Sequence, residues 1–293
     1  MKDRSAATIS QARPAFDSRL TPARPDLAAA SLCGQVEAAR FVEGAARRVV
    51  AAAAPLRRRP EPDAPLETEA LHGEEATVYD EAKGWSWAQL ARDSYVGYLP
   101  TATLGPWIEP THRVAALRTH AYPGPSIKRP PVFAISLGAR LSIERFEGDF
   151  AIATDGLHYF ARHLAPADSL EADWVAVGER FLEAPYLWGG RTSEGIDCSG
   201  LTQAALTAAG IAAPRDSDMM ESRLGSPLPH DSDQALRRGD LIFWKGHIGT
   251  LRDAATLLHA SGWHMKVVNE PLREAVDRIA ANGGGPITSI KRI

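Results

Sequence analysis

The sequence predicts an α+β chain: two small β-barrels, then a larger mixed domain built around a helix that opens on a cysteine. Three observations carry this expectation. A unit of short strands recurs, once as "LHGEEATVYDEAKGWSWAQLARDSYVGYLP" and again as "LGARLSIERFEGDFAIATDGLHYFARHL". Each copy runs from a leucine–glycine start through a strand, a hairpin, a second strand and an aromatic-rich strand. Past Pro166 the period becomes helical, with Leu170, Trp174, Val177 and Phe181 on one stripe. Further on, "GIDCSG" leads into Leu201, Ala204, Ala205 and Ala208, a second stripe that stops at Ala209-Gly210.

The elements follow in order. Residues 1–30 are polar and dotted with proline, and are expected to form an extended arm over a neighbour or to stay partly unordered. Residues 31–46 carry Leu32, Val36, Ala39 and Phe41 and predict a short helix or turn, with Cys33 as a small buried hydrophobe. Residues 47–108 predict the first barrel, whose hairpin turns at Lys83-Gly84, and residues 109–166 the second, turning at Glu147-Gly148. Their texture resembles bacterial SH3-like domains. Residues 167–293 form the third domain, opening on a helix for which Ser169 is the expected N-cap.

Composition narrows the function. The net charge is −3 over 293 residues, so no global field favours nucleic acid. The two cysteines, Cys33 and Cys198, lie far apart without CxxC spacing, which argues against a disulfide framework and fits a reducing compartment. The N-terminal stretch has no apolar core of a secretion signal. "LAAASLCG" faintly evokes a lipoprotein cleavage box, but Pro25 and Asp26 stand where its hydrophobic stretch belongs. No run approaches the ~20 apolar residues of a membrane span. The expected location is cytoplasmic, with no membrane partner.

Chemistry points to Cys198. At a helix N-terminus, unpaired N–H groups and the positive dipole end favour a thiolate. A small buried residue that happens to start a helix is the plain alternative. Downstream, "GDLIFWKGHIGTLRDAATLLHASG" reads as three short strands. A hairpin centred on Asp253 sets His247 directly opposite His259, with Cβ atoms about 5 Å apart. Ile248 and Leu258 then face the other way. Such a pair suits a base held by an orienting partner; unrelated polar strand residues are the alternative. One cysteine and two histidines also match a catalytic zinc ligand set, a weaker reading.

These residues carry a family resemblance. "DCSG", a "GHIG" whose histidine lies 49 residues after the cysteine, and a third polar residue 12 further on resemble the NlpC family of cysteine peptidases, which share a papain-like core. "YLWGG", "PRDS" and "RRGDLIFW" stand where that family has matching elements. The resemblance covers about 170–270 and implies Cys198 as nucleophile, His247 as base and His259 as orienting residue. The Cys198 N–H would join an oxyanion hole, where one donor is worth about 3 kcal/mol.

Paired SH3-like barrels upstream are similar to the branch that cleaves the γ-D-glutamyl bond to a diamino acid in cell-wall peptides with a free N-terminal L-alanine. Members of that branch that recycle imported fragments lack an export signal. The resemblance implies that Tyr95 and Glu74 of the first barrel flank the nucleophile, the acid holding the substrate amine. It implies that Asp197, Ser199, Asp216 and Ser217 line the groove. Met219-Met220 departs from the glutamine common after "PRDS". The implied partners are short peptidoglycan-derived peptides, with no cofactor and no metal. Diaminopimelate and lysine stay open at the leaving side, as does oligomeric state. The rival function is a non-catalytic module in which the barrels bind wall peptide or a partner.

Overall fold

The structure, a computed structural model, describes residues 16–228 and 235–293; residues 1–15 of the expected arm lie outside these. From Phe16 the arm does run over a neighbour. The Arg19 carbonyl accepts the Val96 N–H at 2.7 Å, and the Leu20 carbonyl accepts the Gln89 side-chain amide at 2.9 Å. The helix expected over 31–46 is a single 3-10 turn at Ala30–Leu32. Phe41–Val42 pairs back onto Ala28–Ala29, so the intervening loop is pushed outward and Cys33 is exposed rather than buried.

The first barrel region is one seven-stranded sheet. Its strands are β1 (Ala45–Val49), β2 (Ala53–Arg57), β3 (Leu66–Leu71), β4 (Glu75–Ala82), β5 (Trp85–Leu90), β6 (Val96–Pro100) and β7 (Leu104–Pro106). They bond in the order β3-β2-β6-β5-β4-β1-β7. The expected hairpin turn stands at Lys83 and Gly84, both at positive φ (52° and 81°), which matches the right-handed twist of the flanking strands. Alternate side chains, among them Val49, Leu56, Ala70, Leu90 and Leu99, fill the interior. Residues 112–166 follow as small antiparallel sheets around Val114, Ala121, Ile135, Leu141 and Tyr159.

Four helices lie in the last part of the described chain: α1 (Trp174–Glu179), α2 (Cys198–Ala208), α3 (Ser217–Arg223) and α4 (Leu272–Ala281). Helix α1 starts later than its stripe suggested. Asp173, not Ser169, caps it by accepting the Ala176 N–H at 3.1 Å, and Leu170 is left 64% exposed. The sheet beside these helices holds β8 (Ser226–Pro227), β9 (Leu241–Trp244), β10 (His247–Leu251), β11 (Thr256–Ser261), β12 (Lys266–Pro271) and β13 (Ser289–Arg292). Its order is β8-β13-β9-β10-β11-β12.

Helix α2 covers one face of this sheet, against Leu241, Phe243, Ile248, Leu258 and Ala260. Helix α4 covers the other, against Ile242, Trp244, Leu251 and Leu257. Strand alternation therefore turns His247 and His259 toward the α4 side, and Ile248 and Leu258 toward α2. The Met219-Met220 pair splits between two cores. Met219 packs into the first barrel's interior and Met220 beside Cys198, Leu206 and Phe243, so α3 staples the barrel to the last domain. No helix among the described residues is long and apolar enough to cross a membrane.

Candidate active site

Cys198 is the first residue of α2, with Asp197 as the N-cap. The Asp197 carboxylate accepts the Gly200 N–H at 2.6 Å and the Gly189 N–H at 2.8 Å. Arg215 closes on it as a fork, Nη1 to Oδ1 at 3.0 Å and Nη2 to Oδ2 at 2.7 Å, and both residues are buried. The Arg215 Nε reaches the Thr68 hydroxyl of β3 at 2.7 Å, which ties the helix start to the first barrel. The glycine of "DCSG" is required here. A Cβ on Gly200 would lie 2.4 Å from the Gly190 carbonyl oxygen.

A cavity of about 340 Å³ opens over Cys198. Five of the six groove residues expected from the sequence line it: Tyr95, Asp197, Ser199, Asp216 and Ser217. The Tyr95 hydroxyl donates to Asp216 Oδ2 at 3.1 Å and stands 3.4 Å from Glu67 Oε2. Asp197 is a wall rather than a ligand, because its oxygens are engaged by protein donors. Glu74 is the exception. Its carboxylate is buried against Arg191, with contacts of 3.0 and 3.1 Å, and against Arg92, away from the cavity.

The acid presented to the cavity is Glu67, paired at its outer side with Arg58 at 2.8 Å. Alternation in "LETEAL" was the available signal: Thr68 and Ala70 are buried in the barrel, so Glu67 and Glu69 face outward. Tyr186 and Trp188 of "YLWGG" also line the cavity, and Arg19 enters from the N-terminal arm to bind Asp216 at 2.8 Å. No local pattern marks Arg19.

Electrostatics revise the expected thiolate. Burial pushes the Cys198 thiol up to about 12, the Asp197 charge adds to this, and the Ile248 and Ser199 N–H groups only partly oppose it. Burial and the neighbouring His259 hold His247 below the usual imidazole range. The resting pair is a neutral thiol and a neutral imidazole. Arg215 and the two N–H groups, which favour the charged sulfur, do not outweigh the loss of water around it.

The histidines meet, but by a different register. The hairpin pairs Thr250 with Leu258 and Leu251 with Leu257, so its centre is Ala254 rather than Asp253. Asp253 instead accepts the Ala255 N–H at 2.9 Å in a three-residue turn. That register sets His259 opposite Gly249 and leaves His247 one diagonal step away. Gly249 makes room: a Cβ there would stand 3.2 Å from that of His259. The rings touch through His247 Nε2 and His259 Nδ1 at 2.8 Å.

The other nitrogen of His259, Nε2, stands 3.1 Å from Glu270 Oε2, and Glu270 is in turn gripped by Arg278. With both its nitrogens engaged, His259 has no lone pair free for zinc. Glu270, inside an unremarkable "VVNEP", gave no sequence signal. The histidines line a cavity of about 360 Å³ on the α4 side, with Trp263 and Arg278. Among the described residues no hydrogen bond joins the thiol to His247; the N–H of Ile248, the next residue, is the strand group that reaches it.

Residues 183–278 match the NlpC/P60 family. The chain carries an NlpC/P60 cysteine peptidase domain. Residues 56–104 match the bacterial dipeptidyl-peptidase Sh3 domain. The chain is 28% identical over 208 residues to a gamma-D-glutamyl-L-lysine dipeptidyl-peptidase of Bacillus cereus, a match spanning 61% of this chain and 60% of that protein's length. It is 25% identical over 238 residues to dipeptidyl-peptidase 6 of Lysinibacillus sphaericus, spanning 73% of this chain and 86% of that one. The crystal structure of an NlpC/P60 family protein from Bacillus cereus superposes with a TM-score of 0.70 at 22% identity, over 85% of this chain and 99% of that one. This last likeness establishes the fold: an NlpC/P60 domain behind an SH3-like N-terminal domain.

Proposed function

We propose that this NlpC/P60 enzyme hydrolyses the γ-D-glutamyl–diamino acid bond of short cell-wall peptides that carry a free N-terminal L-alanine. One observation carries the reading. The cavity over Cys198 is lined by two acids and a phenol, Glu67 and Tyr95 from the barrel and Asp216 from the last domain. An ammonium fits there, since a partly desolvated carboxylate attracts it more strongly than one in water. Arg58 is an exposed partner for Glu67, and exposed pairs are weak, so a substrate amine can displace it. The names of the relatives agree with this bond.

In the proposed chemistry His247, the first residue of β10 and next to the Ile248 N–H that reaches the sulfur, turns its ring toward Cys198 and takes the thiol proton as the sulfur attacks the γ-carbonyl carbon. The C–N bond then breaks, the same proton passes to the leaving amine, and a thioester remains. Water, deprotonated by His247, hydrolyses it to L-Ala-γ-D-Glu and restores the thiol. A free alanine amine means that the peptide has already left its glycan, which places the reaction in turnover of released fragments. We also read residues 109–166 as a second SH3-like unit between the first barrel (47–108) and the peptidase domain (167–293), on the repeated strand pattern and the separate core.

The test is mass spectrometry of products from L-Ala-γ-D-Glu-diaminopimelate, its lysine analogue and their N-acetylated forms. The free peptides are expected to be cut before the diamino acid and the acetylated ones to survive. Equal rates for both would reject amine recognition. No cleavage of any of them would reject the bond assignment.

A further inference from the structure

Behind the two imidazoles lies a carboxylate that the proposed chemistry has not used. Glu270 of β12 is 8% exposed and sits 3.1 Å from His259 Nε2. Arg278 of α4 holds both its oxygens, Nε to Oε1 at 2.9 Å and Nη2 to Oε2 at 2.7 Å. His264 stands 3.7 Å away. Lys245, Ser261 and Trp263 complete the surroundings of the pair on this face.

The hydrogens along this chain follow from the charges. Burial alone would raise the Glu270 carboxyl, but His259 and Arg278 outweigh burial and hold it well below the usual range. It therefore accepts and cannot donate, so the hydrogen of the 3.1 Å contact sits on His259 Nε2. Burial keeps His259 neutral, with one N–H in all. Its Nδ1 is then a bare lone pair, and the 2.8 Å contact between the rings needs a hydrogen on His247 Nε2. Neutral His247 has no second hydrogen, and its Nδ1 is left free to take a proton.

We propose that Glu270, anchored by Arg278, is a positioning residue that sets the tautomer of both histidines and so makes His247 Nδ1 the base. It acts through His259. Its catalytic meaning rests on the proposed function, but the tautomers themselves do not.

The test is ¹⁵N NMR of the histidine-labelled full chain, as wild type and as Glu270→Gln. In the wild type both rings are expected to carry hydrogen on Nε2. In the variant Arg278 retains the amide oxygen and the NH₂ turns to His259, so the hydrogens move to Nδ1 of both rings. Wild-type His247 protonated at Nδ1, or identical tautomers in the two proteins, would overturn the proposal. A variant that does not fold leaves the wild-type spectrum to decide. No substrate is involved, so failure to cleave the peptide would count against the proposed function and not against the tautomers. With an active wild type, kcat of Glu270→Gln is expected to fall by about 10²–10⁴-fold with KM little changed.

Discussion

The thiol and the imidazoles lie on either side of the start of β10, yet their surroundings are built in opposite ways. The cavity over Cys198 is assembled from distant parts of the chain: Arg19 of the arm, Glu67 and Tyr95 of the barrel, Tyr186 and Asp216 of the peptidase domain. The chain from His247 through His259 and Glu270 to Arg278 lies within one stretch of adjacent strands and the helix that follows. The difference separates two tasks. Proton handling needs contacts near 3 Å, which adjacent strands supply. Under the proposed function, choosing a short peptide needs a wall, and the barrel residues lining the cavity would supply it. Arg215 and Met219 hold it in place, one by a buried hydrogen bond to Thr68 and the other by packing.

The largest effect tests whether the two sides form one machine. Cys198→Ala is expected to lower kcat by at least about 10⁴-fold with no loss of thermal stability. Retained turnover would mean that the cavity and the histidines do not share a reaction. Next comes the contrast between two barrel glutamates. Glu74→Gln leaves Arg191 and Arg92 buried without their shared anion, which is expected to cost about 3–5 kcal/mol in unfolding experiments while KM stays unchanged.

The same residue makes a prediction in acid. Burial alone would raise its carboxyl, but Arg191 and Arg92 outweigh burial and hold it at about 2. Its contribution, about 3 kcal/mol, is present above the ordinary carboxylate value and is lost as pH falls from there toward about 2. The melting temperatures of wild type and Glu74→Gln should therefore converge on acidification; a constant gap would contradict the ion pair. The smallest effect belongs to the cavity. Glu67→Gln is expected to raise KM for the free-amine peptide by about tenfold, with unchanged melting, the value of one charge-assisted hydrogen bond. A Glu67→Gln variant that melts early but binds normally would reverse the two glutamates' roles.

Much of this site was legible. The helix over 198–208, the three strands of 241–261 and the shared face of the two histidines follow from period and strand alternation within short windows; the helix's Asp197 cap was seen only in the structure. Five of the six groove residues line the cavity over Cys198; these were expected from the family resemblance and not from period or capping. The failures have a common cause. Alternation in "LETEAL" shows that Glu67 faces outward, but nothing local shows that Glu74, just ahead of its strand, turns inward onto two arginines. The hairpin register slipped because the Asp253 side chain closes a three-residue turn. The thiolate expectation counted the helix start, whereas burial pushes the Cys198 thiol the other way.

The order of residues by itself determined on which elements the candidate side chains ride, since helix starts and strand alternation are decided by neighbours a few positions apart. Tertiary structure decided everything that depends on depth and on partners distant in sequence: which carboxylate is buried, which groups the imidazoles meet, and which domains line the cavity. Desolvation and pairing act through space, and no local window of sequence contains them.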